Sequence, residues 1–218
     1  KSEILLSLKG AIILALIVAL GYYFTSLREI RLSMERTFAE RVDLVSTYIS
    51  MMQQQVEGMG RSFEYNYGRI SSMTVSDAKY FREYGAWGLQ GDIGLEGTFI
   101  GTGKFPLPPA VRREMAAALS LDPQIGAILE YSKNVTWIYY TSALNFIYLA
   151  PKHKISEYRF SPSEYERPFW HQAAPEINPG LKQIISDLYD DSAGKGLMIT
   201  ISSPVKVKGK FIGVMSLD

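Results

Sequence analysis

From Gly10 to Leu27 the chain carries 18 consecutive uncharged, mostly apolar residues, GAIILALIVALGYYFTSL, bounded by Lys9 and Arg28. At 1.5 Å per residue a helix of that length spans roughly 27 Å, close to the ~30 Å hydrocarbon core of a bilayer. Nothing as apolar follows, and the residues beyond it, about 190, are polar enough for water. The pattern predicts one membrane helix, 10–27, carrying a soluble domain. Tyr22, Tyr23 and Phe24 at its end suit an interfacial aromatic belt. A cleaved signal peptide is a rival reading, with Ala19-Leu20-Gly21 as the small-x-small site. The continuation of the apolar run through Phe24 argues against it. A buried core helix is the other rival, but such helices seldom run so long without a polar residue. Lys1 and Lys9 precede the run while Arg28, Arg31, Arg36 and Arg41 follow it, so the charge balance does not set the orientation.

Beyond the membrane segment the chain is long enough for one well-packed domain and a long helix. Its 23 basic and 22 acidic residues are mixed along 218 positions. No basic stripe marks a nucleic-acid surface, and no nucleic-acid partner is expected. Cysteine is absent, which removes disulfides, thiol nucleophiles and cysteine metal sites, and fits a Gram-negative periplasm. The first residue is Lys rather than Met, which points to a piece of a longer protein.

Phe38, Val42, Val45, Ile49, Met52, Val56, Met59 and Phe63 recur at alternating intervals of four and three, the seam of a heptad helix. Residues 28–63 are therefore expected to form a long stalk helix. The stretch Phe38–Val56 is expected to carry a homodimer contact, chiefly over Phe38–Met52, with the stripe beyond Met52 packing on the chain's own domain. Residues 64–134 predict helical fragments and glycine turns. Ser76-Asp77 caps a short helix through Tyr84, Gly88–Gly103 is loop with at most a short strand, Pro108-Pro109 opens a helix, and Asp122-Pro123 opens another. From Val135 the pattern turns to strands. VTWIYYTSA and NFIYLAP form a hairpin, Ser161-Pro162-Ser163-Glu164 is a capping box for a helix through Ala174, and Asn178-Pro179 starts a helix to about Leu188. Leu197–Val207 and Lys210–Leu217 read as strands joined at Lys208-Gly209. The fold class is α+β: an antiparallel sheet with helices on one face, preceded by the long helix.

Chemistry is sparse. The two histidines, His153 and His171, lack acidic partners at ligand spacing, so no metal or cofactor is expected. Gly101-Thr102-Gly103-Lys104 resembles a fragment of a phosphate loop but lacks its strand–loop–helix setting. No enzyme signature is present, and the segment is expected to catalyse nothing. The informative stretch is ERPFWHQAA (166–174), followed by Asp187-Leu188-Tyr189-Asp190-Asp191. A guanidinium beside two aromatic rings suits a planar carboxylate, and a later carboxylate suits a cationic group of the same ligand. The alternative is that Arg167 pairs with Asp190 or Asp191 and the rings are ordinary core.

Together, RPFWHQAA, LYDDSAGKGLMITISSPV and KGKFIGVMSLD resemble a Cache (PDC-like) extracytoplasmic sensor module, over about Val135–Asp218. That family carries an Arg-Pro-aromatic-aromatic-x-x-Ala motif, then Tyr-x-Asp, then paired strands ending in a Gly-Val-aliphatic run that closes on Asp. The resemblance implies a PDC/PAS-like sheet over 135–218 and a periplasmic module binding amino acids, organic acids or amines. It further implies a signalling output across the bacterial inner membrane, with residues 1–9 cytoplasmic. The nearest likeness is to sensor regions that precede GGDEF diguanylate cyclase domains, then to those of histidine kinases and chemoreceptors. It implies Arg167 for a ligand carboxylate, Phe169 and Trp170 at the aromatic positions, and Tyr189 with Asp191 for the ligand's far end. Tyr139, on the first strand of the expected hairpin, is expected to join them. The family's usual Trp and Tyr are replaced by Phe169 and Trp170, and Pro162 lies where an upstream Tyr is usual, which weighs against a standard α-amino acid. The ligand is expected to bear a carboxylate or an amine. The other functional classes are a membrane-anchored structural or assembly protein and an exported, anchored hydrolase.

Overall fold

The computed structural model describes residues 2–70, 80–83, 86–89, 96–103, 105–153, 157–192 and 194–218, with backbone alone at 2–8, 80, 81 and 83. The chain divides into two compact units, Lys1–Ser50 and Met51–Asp218. Helix α1 runs Ser2–Tyr67. In the first unit it carries the apolar run, long and apolar enough to cross a membrane at a mean hydropathy of 2.0, with none of that window buried. Ile13, Leu16, Ile17 and Phe24 are exposed, as suits a helix that meets lipid. Further along, Phe38, Val42 and Val45 are also exposed.

In the second unit the same heptad stripe changes role. Met52, Val56, Met59 and Phe63 are buried, and the Phe63 ring lies 4.2 Å from that of Tyr140. Gly58 and Gly60 fall within this stretch without breaking the helix, since burial of four large side chains outweighs a propensity cost of about 1 kcal/mol each.

Alternating aromatic and β-branched residues form strands β4, Ile138–Ser142, and β5, Phe146–Ala150, as the hairpin expected from sequence. Strands β9, Ile201–Val207, and β10, Lys210–Leu217, form a second hairpin, turned at Lys208 (φ 51°) and Gly209 (φ 79°). Two successive positive φ values match the twist of the flanking strands, and glycine adopts the second without steric cost. Strands β1, Tyr80–Glu83, β2, Ala86–Leu89, β3, Thr98–Thr102, and β6, Ile184–Ile185, complete the main sheet. Among the described residues it is an eight-stranded antiparallel sheet in the order β1-β2-β3-β5-β4-β10-β9-β6. Strands β7, Tyr189–Asp190, and β8, Leu197–Met198, form a separate ribbon.

Successive residues of β4 face opposite sides. Tyr140 and Ser142 meet the end of α1 and helix α2, Pro109–Leu119, which α3, Asp122–Tyr131, follows in the chain. Tyr139 belongs to the opposite core with Ile147, Leu149, Phe169 and Trp170. That side is covered by a 3₁₀ turn, Pro162–Glu166, and a one-turn helix α4, Pro168–His171. Short helical elements thus lie on both faces, not on one.

Several local expectations are corrected. Tyr80–Glu83 is a strand, not the end of a helix from Ser76; positions 76–79 lie outside the described residues. The Gly88–Gly103 stretch holds parts of two paired strands. Gly101 is required there because a Cβ would lie 2.5 Å from the Trp87 ring, which packs on the bare backbone. The capping box forms no side-chain cap, and the expected helix splits at Arg167 (φ −73°, ψ 150°), because Pro168 bars the α conformation from the residue before it. The helix expected from Asn178 does not form: the Asn178 side chain bonds Lys182 O (2.6 Å) and Lys182 N (3.2 Å), closing a turn that delivers β6 to β9. The expected strand Leu197–Val207 is divided between ribbon and sheet.

Candidate functional site

The break at Arg167 sets what faces the sheet. Phe169 turns onto Tyr139, edge to face at 5.2 Å, and comes within 6.4 Å of Tyr189. Beneath this contact a pocket is lined by Trp137, Tyr139, Tyr158, Phe169 and Tyr189, the aliphatic side chains Ile147 and Leu149, the acids Glu164, Asp191 and Asp218, and Ser192. Its cavity volume is about 30 Å³. One or two water-sized groups fit, so the cavity suits a small head group rather than a bulky ligand.

Four of the six side chains expected from sequence meet here: Tyr139, Phe169, Tyr189 and Asp191. The other two do not line the pocket. Arg167 donates from Nη1 to the carbonyl of Asp190 (2.6 Å) and pairs through Nε with Glu164 (3.5 Å). Trp170 packs between Tyr165 (4.5 Å) and Phe211 (5.4 Å), pinning α4 to β10. Sequence reasoning missed Trp137, Tyr158, Glu164, Ser192 and Asp218. Trp137, just ahead of β4, has the parity of Tyr139, a legible signal, whereas Glu164 carries the local signature of a helix cap.

The polar groups form a connected set. Tyr139 donates to Asp218 Oδ1 (3.0 Å), as does Thr200 Oγ1 (2.6 Å), and the Tyr189 hydroxyl lies 2.6 Å from Thr200 Oγ1. Asp191 Oδ2 accepts from the Trp137 indole (3.3 Å) and from Lys195 N (2.9 Å). Among the described residues the hydrogen bonds to the Asp218 carboxylate thus fall on Oδ1 and those to the Asp191 carboxylate on Oδ2. Among the described residues each carboxylate keeps one oxygen without a hydrogen-bond donor.

Burial pushes the Asp218 carboxyl up to about 7, against the pull of its bonds from Thr200 and Tyr139. Burial also raises Glu164, which Arg167 and Ser192 partly offset. The Tyr189 phenol is pushed up to about 12, and that of Tyr139 well above its ordinary range, both chiefly by burial, so both rings are neutral. Lys195 Nζ stands 5.8 Å over the Trp137 ring, a cation–π contact at the pocket's edge.

Of the histidines, His153 packs edge-on to Trp137 at 5.3 Å, and its Nε2 lies 3.7 Å from Glu157. Among the described residues no group of three His, Asp or Glu side chains has metal-holding geometry. No protein-family model matches the chain, and no curated protein or solved structure does.

Proposed function

We propose that this chain is the membrane-anchored sensor part of a bacterial signal-transduction protein, and that Met51–Asp218 binds a small amine. One observation carries the ligand assignment. Two pocket acids, Asp191 and Asp218, each keep a carboxylate oxygen without a donor, inside walls made of aromatic rings. Spare acceptors backed by aromatic faces call for a compact, donor-rich cation. A ligand carboxylate would need Arg167, whose guanidinium is engaged by Glu164 and the Asp190 carbonyl. Of the two ligand types expected from sequence, the arrangement favours the amine.

The Cache (PDC/PAS-like) reading of residues 135–218 enters on the same footing. It supplies the periplasmic orientation and a cytoplasmic output, with a diguanylate cyclase as first choice and a histidine kinase or chemoreceptor next. The route of the signal follows from strand parity. Tyr139 faces the pocket while its neighbour Tyr140 stacks on Phe63 of α1, so a shift of β4 on binding is felt by that helix. Any homodimer seam is confined to Phe38–Ile49, because Met52 and Val56 are buried in their own domain.

A thermal-shift screen of the full chain in nanodiscs, with small amines and small carboxylic acids at pH 7.5, tests the assignment. Amines raise the melting temperature, acids do not, and Asp191→Asn removes the response. A panel in which only acids stabilise the protein would overturn it.

A further inference from the structure

The pocket places one of its acids, Asp218, where no cation among the described residues pairs with it. Asp218 is bracketed by Tyr139 from β4, Tyr189 from β7 and Thr200 ahead of β9, all neutral donors or acceptors. The other charged groups at the pocket are the acids Asp191 and Glu164. Of the nearby cations, Arg167 is held by Glu164 and the Asp190 carbonyl, and Lys195 lies over Trp137. Among the described residues no ion pair is made to Asp218. A carboxylate in such surroundings is ionised only at a large desolvation cost, and a proton on its unused Oδ2 relieves that cost. Burial holding this carboxyl up to about 7 agrees with the geometry.

Resting on the amine reading above, we infer that ligand uptake is an ion exchange: the ammonium group takes the place of a proton on the Asp218 carboxyl. The balance is simple. The bound ammonium keeps all its protons, Asp218 loses its Oδ2 proton to solvent as the cation arrives, and the charge in the pocket is unchanged. Asp191 Oδ1 and the freed Asp218 Oδ2 then both accept from the ammonium. Occupancy follows the ratio of amine to protons rather than amine alone. A module of this kind reports an amine strongly in neutral or alkaline surroundings and weakly in acid.

Isothermal titration of the full chain in nanodiscs with methylammonium and ethylammonium chloride tests this. Each titration is run at pH 6.0 in phosphate and in ACES, buffers of different protonation enthalpy, and repeated from pH 5.5 to 8.0. The expected result is a release of about one proton per amine at pH 6.0, with affinity rising close to tenfold per pH unit below 7 and levelling above it. Asp218→Asn binds more weakly, releases no proton and shows a flat pH profile. Tyr139→Phe, which removes one donor to the ionised carboxylate, moves the inflection to higher pH. Heats that are the same in both buffers at pH 6.0, with binding intact, would overturn the exchange and leave the amine reading standing. Absence of binding by either amine at every pH would overturn both.

Discussion

Replacing Glu114 with glutamine isolates the cost of burying a carboxylate on the far side of the sheet from the pocket. Glu114 sits on α2, 3% exposed, and its Oε2 accepts from Tyr140 Oη (2.8 Å) and Ser142 Oγ (2.5 Å). Burial outweighs both bonds and raises the carboxyl from its ordinary 4.5 to about 7. The folded state therefore holds this proton more tightly than the unfolded state, so the residue's contribution to stability falls as pH rises. The penalty is absent well below pH 4.5, grows between 4.5 and 7, and is constant above. At about 1.36 kcal/mol per pKa unit it grows from under about 1 kcal/mol at pH 5 to about 3 kcal/mol at pH 8. Glutamine can present its carbonyl oxygen to the same two hydroxyls and does not ionise. Its amide hydrogens cost about 1–3 kcal/mol if left without acceptors, but that cost does not vary with pH. The quantity to measure is the change with pH in the difference between the two proteins. Melting of the full chain, followed by circular dichroism at pH 5, 6, 7 and 8, gives it. For a domain of this size the Glu114→Gln melting temperature gains on wild type by roughly 5–10 °C between pH 5 and 8. Asp218 titrates in both proteins and cancels. Parallel curves would refute the reasoning, because they would mean that the buried carboxyl ionises as it does in water.

Two further expectations follow from burial and backbone geometry. Phe63→Ala removes a fully buried ring from the contact with Tyr140 and lowers domain stability by about 3–5 kcal/mol. Phe38→Ser, on the exposed part of the same stripe, changes it by less than about 0.5 kcal/mol but abolishes cross-linking between copies of the chain in nanodiscs. Equal losses of stability at the two positions would show that the stripe does not change role. Gly209→Val forces a β-branched residue to φ 79° and costs about 1–2 kcal/mol, read as a lower melting temperature with the same helical signal.

The readings that held rest on signals confined to neighbouring residues. The Gly10–Leu27 run and the heptad stripe after it specify helix wherever the chain goes, because an uninterrupted apolar run or a 3.5-residue seam satisfies only that period. The hairpin β4–β5, the Lys208-Gly209 turn and the opening of α2 at Pro108-Pro109 are likewise local. Pro168 is instructive because its effect was also local: it ended any helix at Arg167, and that break, together with Phe169 and Trp170, determines which ring meets the sheet.

Which of these residues meet is a matter of long-range packing. Strand β6 owes its existence to β9, and β2 and β3 to each other and to β5; their sequences are too short or too glycine-rich to specify a strand alone. The site shows the same division. Tyr189 and Asp191 were legible as a motif, but Asp218 joins them only because β10 lies beside β4, with Asp218 N bonded to Trp137 O. Arg167, the most conspicuous charge in the motif, faces Glu164, three residues earlier and read from sequence as a cap. Periodicity and turn chemistry act over a few residues, and so the membrane-length helix, its amphipathic continuation and the aromatic strands are legible along the chain. Only the packed sheet brought acids from the 3₁₀ turn, the end of β7 and the end of β10 to one pocket. Burial there raises the carboxyls of Glu164 and Asp218, an effect of the assembled surroundings that no short stretch of the chain contains.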